Sequence, residues 1–254
     1  MQRKVVALRA VKEASVFLKK EFRRGHTGAE KADGTMVSAA DHGSEKKILS
    51  ILKRAFPDDA ILSEESGKTS GTSGYRWILD PLDGTHNFLA GIPIFGILLA
   101  LEKNGIVIFS VCLFPMFDEC FVAEKGKGAF LNGRRIRVSK TKSLEGSVFL
   151  GDGNRTLQFR DTMKDIKAFQ EEGCRFRFLG EGPFGMTRVA LGTALVAVLR
   201  LGKIWDIAAP ALLIEEAGGK VTDMDGKSLG KKESALVATN GILHAKALSI
   251  LGNL

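Results

Sequence analysis

The sequence predicts a mixed fold of layered sheets and helices, α+β with α/β portions, and not a simple doubly wound parallel sheet. Three observations carry that expectation. Helix-period apolar spacing marks both ends of the chain. A central block alternates apolar runs with Asn-Gly and other glycine turns, the pattern of antiparallel hairpins. Short apolar strands run directly into acidic residues between these regions, so helices and strands mix throughout.

Residues 2–23 place Val5, Leu8, Val11, Val16, Leu18 and Phe22 at near-helical spacing. A polar loop, GHTGAEKADGT, follows. A second helix is predicted from about Ser38 to Arg54, with Ile48, Ile51 and Leu52 on one face and Pro57 at or beyond its end. AILSE (60–64) and RWILD (76–80) read as strands that end in acids. The Gly/Ser/Thr-rich SGKTSGTSG between them predicts a mobile loop over 66–74. From Ile92 to Val138 the pattern is β, with Lys103-Asn104-Gly105 splitting two apolar runs. The second half predicts a helix near 156–171, a strand at RFRFLG and a helix over 184–195. WDIAAPALLIEEAGGKVTD then reads as helix, Gly-Gly and strand, and SALVATNGILHAKALSIL as strand, turn and helix.

The chain has 254 residues, of which 44% are hydrophobic, enough for one large domain or two joined lobes. No apolar run approaches the roughly 20 residues that span a membrane. The charged N-terminus reads as an amphipathic helix and not as a signal peptide. Cys112, Cys120 and Cys174 lack metal or disulfide spacing, which suggests reduced thiols and a cytoplasmic protein. The net charge of +8 is scattered, and one Tyr and two Trp offer poor stacking material. Composition therefore disfavours nucleic acid as a partner.

The chemistry concentrates in ILDPLDGTHNF (78–88). Asp80 ends a predicted buried strand, and a turn through Pro81 could set Asp83 beside it. Two carboxylates in one pocket repel unless they share a proton or a cation. Gly84 permits close backbone approach, and a helix starting near Thr85 would offer amides to an anion. A hard divalent cation such as Mg²⁺, bridging carboxylates to a phosphate, fits these residue types. A DPxDGT turn that caps a helix fits them equally well. Glu64-Glu65, Asp206 and Asp41 add acids at three other element ends. Gly67-Lys68-Thr69 lacks the first glycine of a P-loop, and the four histidines lack zinc spacing.

Taken in order, the motifs resemble the inositol monophosphatase family, within the superfamily of Mg²⁺-dependent, lithium-sensitive phosphatases. They are Glu64-Glu65-Ser66, Asp80-Pro81-Leu82-Asp83-Gly84-Thr85 with Asn87-Phe88, Trp205-Asp206-Ile207-Ala208-Ala209, and Glu216-Ala217-Gly218-Gly219, with DGTMVSAAD ending in Asp41. The resemblance implies a layered α-β-α-β-α sandwich, with an N-terminal α+β lobe (1–145) carrying most metal ligands. A C-terminal α/β lobe (146–254) would carry Asp206 and substrate contacts. It further implies two to three Mg²⁺ ions, Mn²⁺ being an alternative. One ion would rest on Glu64, Asp80 and the Leu82 carbonyl, a second on Asp80, Asp83 and Asp206. Glu64 and waters would hold a third, with Asp41 outside it. Glu64 and Thr85 would orient and deprotonate the attacking water, and the Gly84 and Thr85 amides would grip the phosphate. A homodimer is the family's usual state.

The substrate is less defined. Where relatives place an acid about seven residues before the Trp-Asp pair, this chain has Leu199-Arg200, and Gly180-Glu181-Gly182 matches a small-residue element. Arg200 suits a second phosphate or a carboxylate. Glu181 suits a hydroxyl or an amine. These expectations describe a phosphomonoesterase acting on inositol-1-phosphate or a similar small phosphorylated metabolite. Histidinol-phosphate phosphatase, which shares an ATNG-x-LH segment with 238–244, and fructose-1,6-bisphosphatase are alternatives. An RNA- or transcription-associated regulator is an alternative of a different class.

Overall fold

The computed structural model describes residues 2–25, 28–30, 36–152, 156–180, 182–230 and 234–252. Part of the loop expected over 25–35, and Glu181, lie outside the described residues. In chain order come α1 (Gln2–Phe22), the short pair β1 (Gly28–Glu30) and β2 (Met36–Ser38), and α2 (Ala39–Ala55). Then follow β3 (Ala60–Ser63), β4 (Gly67–Thr69), β5 (Tyr75–Asp83) and α3 (Thr85–Leu89). A meander comes next: β6 (Gly96–Lys103), β7 (Ile106–Phe114), β8 (Glu119–Glu124), β9 (Gly128–Leu131) and β10 (Arg134–Ile136). The chain continues through β11 (Val148–Asp152), α4 (Thr156–Glu171), β12 (Arg175–Phe178), α5 (Gly182–Ala190) and β13 (Val196–Gly202). It closes with α6 (Ile204–Glu216), β14 (Lys220–Thr222), β15 (Ser234–Thr239) and α7 (His244–Gly252).

Strands β3 to β10 form one sheet in the order β10-β9-β8-β7-β6-β5-β3-β4, and β11 to β15 form a second in the order β12-β11-β13-β15-β14. The chain passes between sheets once, over 137–147. Both sheets are mixed: β3 runs parallel to β5, and β12, β11 and β13 are mutually parallel. Helices α1 and α2 cover the outer face of the first sheet with Val11, Leu18, Ile48 and Leu52. Helices α4 and α7 cover the outer face of the second with Phe169, Ala247 and Leu251. Between the sheets, α5 and α6 sit in a core that takes Leu98, Cys112 and Phe121 from the first sheet and Leu150, Ala197 and Leu236 from the second. The layers are therefore α-β-α-β-α. Among the described residues, no helix is long and apolar enough to cross a membrane.

Three local readings change. The 66–74 segment is ordered into the sheet: β4 pairs with β3 through Ser63–Gly67 to Ile61–Thr69, and Thr72 and Ser73 donate to the Asp58 carbonyl. Its glycines serve close packing, since a Cβ on Gly71 would lie 2.2 Å from the Ala60 nitrogen. The helix expected over 184–195 begins at Gly182 and stops at Ala190, and β-branched Val196 and Val198 then run as a strand. Strand β5 does not end at Asp80 but continues to Asp83.

Candidate functional site

That continuation brings the two aspartates together. Residues three apart on a regular strand face opposite sides of the sheet. In β5, Asp80 pairs with Leu98 and Asp83 with Gly96, so three steps on one strand oppose two on the other. The extra residue is a bulge, placed where Pro81 has no N–H to give the ladder. It rotates both carboxylates toward one place. Gly84 follows at φ 81°, a left-handed conformation that glycine adopts without penalty, and starts α3.

Asp206 arrives from the other half of the chain on the first turn of α6. Carboxylate oxygens of Asp80, Asp83 and Asp206 all lie within 4.8 Å of one another. Asp80 is 2% exposed. Burial, then the Glu64, Asp206 and Asp41 carboxylates, push its pKa well above the ordinary range. Asp83 Oδ2 is buried and accepts no hydrogen bond. A buried, partnerless carboxylate oxygen beside two further carboxylates is costly unless a cation completes it. An all-oxygen donor set of this kind suits a hard divalent ion. Glu64 follows the end of β3, where its amide donates to the Leu79 carbonyl at 3.1 Å, which sets it beside β5.

Two helix caps hold the periphery. Asp41, third residue of α2, is 1% exposed, and its Oδ2 accepts from the Ser38 amide and hydroxyl, both at 2.7 Å. Its Oδ1 accepts from Thr85 Oγ1 at 2.9 Å. Burial raises the Asp41 pKa, and these donors oppose the rise. Asp206 occupies the same place on α6, its Oδ2 accepting from the Lys203 amide at 2.8 Å. The capping reading of these acids is therefore met, and Asp206 caps its helix while its carboxylate also stands beside Asp80 and Asp83.

Sequence reasoning missed the rest of the α2 face. Ser44 donates to the Pro81 carbonyl at 2.6 Å. Glu45, also buried, accepts from the Ser66 amide and hydroxyl at 3.0 and 2.9 Å and from Ser63. Asp41, Ser44 and Glu45 share one helix face at i, i+3, i+4 spacing. These polar residues continue the buried stripe of Ile48 and Leu52 toward the start of the helix, at i, i+4 and i, i+7 spacing, and that was the available signal. Glu216 was visible only as part of a motif; it accepts from the Gly126 and Gly128 amides at 2.7 Å, tying the far end of α6 to the β8–β9 turn.

Arg200 sits elsewhere. It shares its sheet face with Val196 and Val198, which pack on the outer helices. Its guanidinium forms a two-point pair with Asp165 of α4, a carboxylate only 1% exposed. The expectation of a substrate contact therefore fails on geometry: the charge is already matched, on the side of the sheet away from α6. Gly182 is buried against Leu199 at the start of α5, and Glu181 lies outside the described residues. The ATNG-x-LH segment builds a second polar cluster. His244, 2% exposed, lies with Nδ1 3.0 Å from Thr239 Oγ1 and Nε2 2.9 Å from Thr222 Oγ1. Asn240 donates to the Ser139 and Thr141 carbonyls and accepts from the Leu243 amide. Burial lowers the His244 pKa to about 4. These contacts give the segment a structural role.

Comparison with known proteins gives a consistent picture. A model of the inositol monophosphatase family matches residues 2–254. An inositol-1-monophosphatase of Mesorhizobium japonicum is 38% identical over 235 residues, covering 86% of this chain and 83% of that protein. A histidinol-phosphatase of Chlorobaculum parvum is 32% identical over 231 residues, covering 91% and 89%. The crystal structure of the extragenic suppressor protein SuhB from Bartonella henselae superposes with a TM-score of 0.94 at 33% identity, covering 99% of this chain and 98% of that one.

Proposed function

This chain belongs to the inositol monophosphatase family, a family of phosphatases, and we propose that it hydrolyses a phosphomonoester of a small polyol or amino alcohol with Mg²⁺ as cofactor. Inositol-1-phosphate is the first substrate to try. The observation that carries this reading is the convergence of Asp80, Asp83 and Asp206 around a buried carboxylate oxygen without a partner. Glu64, Asp80 and the Leu82 carbonyl would hold one cation, and Asp80, Asp83 and Asp206 a second. When bound, such cations offset the carboxylate charge and activate water for in-line displacement at phosphorus.

The protein's own groups divide the remaining work. Thr85 Oγ1 has one proton and faces two acceptors, Asp41 Oδ1 at 2.9 Å and the Leu82 carbonyl at 3.0 Å. Its proton is always spent, so the oxygen can only accept. It thereby orients a water by receiving one of its hydrogens, and Glu64 takes the other. Asp41 acts through Thr85 as a positioning residue. The Gly84 and Thr85 amides donate to phosphoryl oxygens; the leaving alkoxide takes a proton from solvent water, and Glu64 returns the proton it accepted to solvent.

The test is phosphate release from inositol-1-phosphate, histidinol phosphate, fructose-1,6-bisphosphate and adenosine 3′,5′-bisphosphate, with Mg²⁺ and with EDTA. Mg²⁺-dependent release from at least one is expected; none with Mg²⁺ or Mn²⁺ ends the reading. The likeness to a protein named Nus factor SuhB, 36% identical over 250 residues, supplies a regulatory role as second reading, which the charge of +8 leaves open. RNA binding with a steep salt dependence and no hydrolysis would select it.

A further inference from the structure

Two neighbouring residues of α2 each reach a different segment of the acid cluster. Ser44 donates to the Pro81 carbonyl at 2.6 Å, inside the β5 bulge between Asp80 and Asp83. Glu45 turns one carboxylate oxygen, Oε1, to the loop between β3 and β4. That oxygen accepts from the Ser66 amide at 3.0 Å, the Ser66 hydroxyl at 2.9 Å and the Ser63 hydroxyl. Ser63 and Ser66 bracket Glu64-Glu65. Donors from both sides of Glu64 thus converge on one atom of the helix.

The pairing of β3 with β5 ends at Ser63 opposite Leu79, and the Glu64 amide makes one more bond, to the Leu79 carbonyl. Beyond that bond the ladder no longer sets the distance from Glu64 to Asp80. Glu45 is 8% exposed, on the helix stripe that Ile48 and Leu52 continue with apolar side chains. A carboxylate buried there costs free energy that a leucine would not. Charge-assisted hydrogen bonds offset the cost where donors are aimed at it. A hydrophobe would serve the packing equally well, but it could not grip the loop. Because Ser44 and Glu45 are adjacent on one helix, their bonds hold the two acid-bearing segments at a fixed spacing.

We propose that Glu45 is a positioning residue for Glu64. It sets that carboxylate against β5, and so governs the affinity of the cation site that Glu64 would share with Asp80 and the Leu82 carbonyl. The inference rests on the cation reading of the acid cluster and is independent of which phosphomonoester is cleaved.

The test is Mn²⁺ binding to the full chain without substrate, read from the electron paramagnetic resonance signal of free Mn²⁺. Glu64→Gln marks the site by the affinity it removes. Glu45→Ala is expected to weaken the same binding about tenfold. In the double variant it should add little, since a group acting through Glu64 has nothing to act on once that charge is gone. Ser66→Ala deletes one donor and keeps the backbone one; it should weaken binding by less, and it carries the same test if Glu45→Ala does not fold. Asn240→Ala is the control, because it also removes buried hydrogen bonds; it should bind Mn²⁺ as the wild type does. Three results overturn the inference and leave the cation reading in place: losses from Glu45→Ala and Glu64→Gln that simply add, an affinity that the folded variants of Glu45 and Ser66 leave unchanged, or an equal loss in Asn240→Ala. A wild-type chain that binds no Mn²⁺, or binding that Glu64→Gln does not alter, overturns the inference together with the assignment of Glu64 as a ligand.

Discussion

The acid cluster on β5 and the imidazole–hydroxyl cluster under α7 are both buried and polar, and they are built on opposite terms. Around His244 and Asn240 the ring nitrogens and the amide meet partners. Around Asp80 the charged neighbours that shift its pKa are all carboxylates, and an oxygen of Asp83 is left without a partner. A satisfied network rigidifies the fold; an unsatisfied one stores a demand that a ligand can meet. Two motifs that look equally distinctive in the sequence thus differ in that one is satisfied by the fold and the other leaves an oxygen unpartnered.

The widest gap between the clusters should come from Asp83→Asn. Loss of one ligand charge is expected to lower Mg²⁺-dependent phosphate release about a thousandfold or more, since cation stabilisation is worth several kcal/mol. Thermal stability without Mg²⁺ should stay the same or rise, because like-charge repulsion is relieved. Near-full activity would dissolve the contrast. Asp41→Asn comes next. One oxygen can serve Ser38 or Thr85 but not both, and activity should fall about 10- to 100-fold while the protein remains folded, as for other groups that orient a site from outside it. An unchanged rate would reduce Asp41 to a cap.

On the other side, Asn240→Ala removes three hydrogen bonds and should cost about 2–3 kcal/mol of stability by denaturant unfolding. Turnover per folded molecule should hardly change; a large loss of turnover would place this cluster in the mechanism. The smallest effect is the response to pH, and here the clusters pull in opposite directions. The folded pKa of His244 is depressed to about 4, so its contribution to stability is present above about 6.5 and is lost as pH falls toward 4. The folded pKa of Asp80 is raised, so without cation its contribution is present at low pH and is lost as pH rises through that value. Adding Mg²⁺ should cancel the second trend and leave the first, as read by thermal melts in EDTA and in Mg²⁺.

Much of the acid cluster was legible because its acids follow short apolar runs in a fixed order: Glu64, Asp80, Asp83 and Asp206. How they meet was not. Three-residue spacing in DPLD suggests a turn, and only the pairing with Leu98 and Gly96 reveals a bulge. Glu45 and Ser44 were obscured because polar residues in the first turns of a helix are normally solvated, although they continue the stripe of Ile48 and Leu52. Arg200 was misread because its partner Asp165 lies 35 residues away on another element. Composition likewise misjudged 66–74, whose glycines permit tight packing. The layered fold itself followed from periodicities and turn residues, which act locally.

Helix α6 is anchored at both ends, by Asp206 in its first turn and by the grip of Glu216 on the β8–β9 turn. Thirteen residues at about 1.5 Å each make it a strut about 20 Å long. The reach of Asp206 into the acid cluster is thus gauged from the hairpin that holds the other end of the helix. Lengthening that hairpin by a single residue would act like moving the foot of a ladder: nothing near the chemistry is touched, yet the top rung no longer meets the wall.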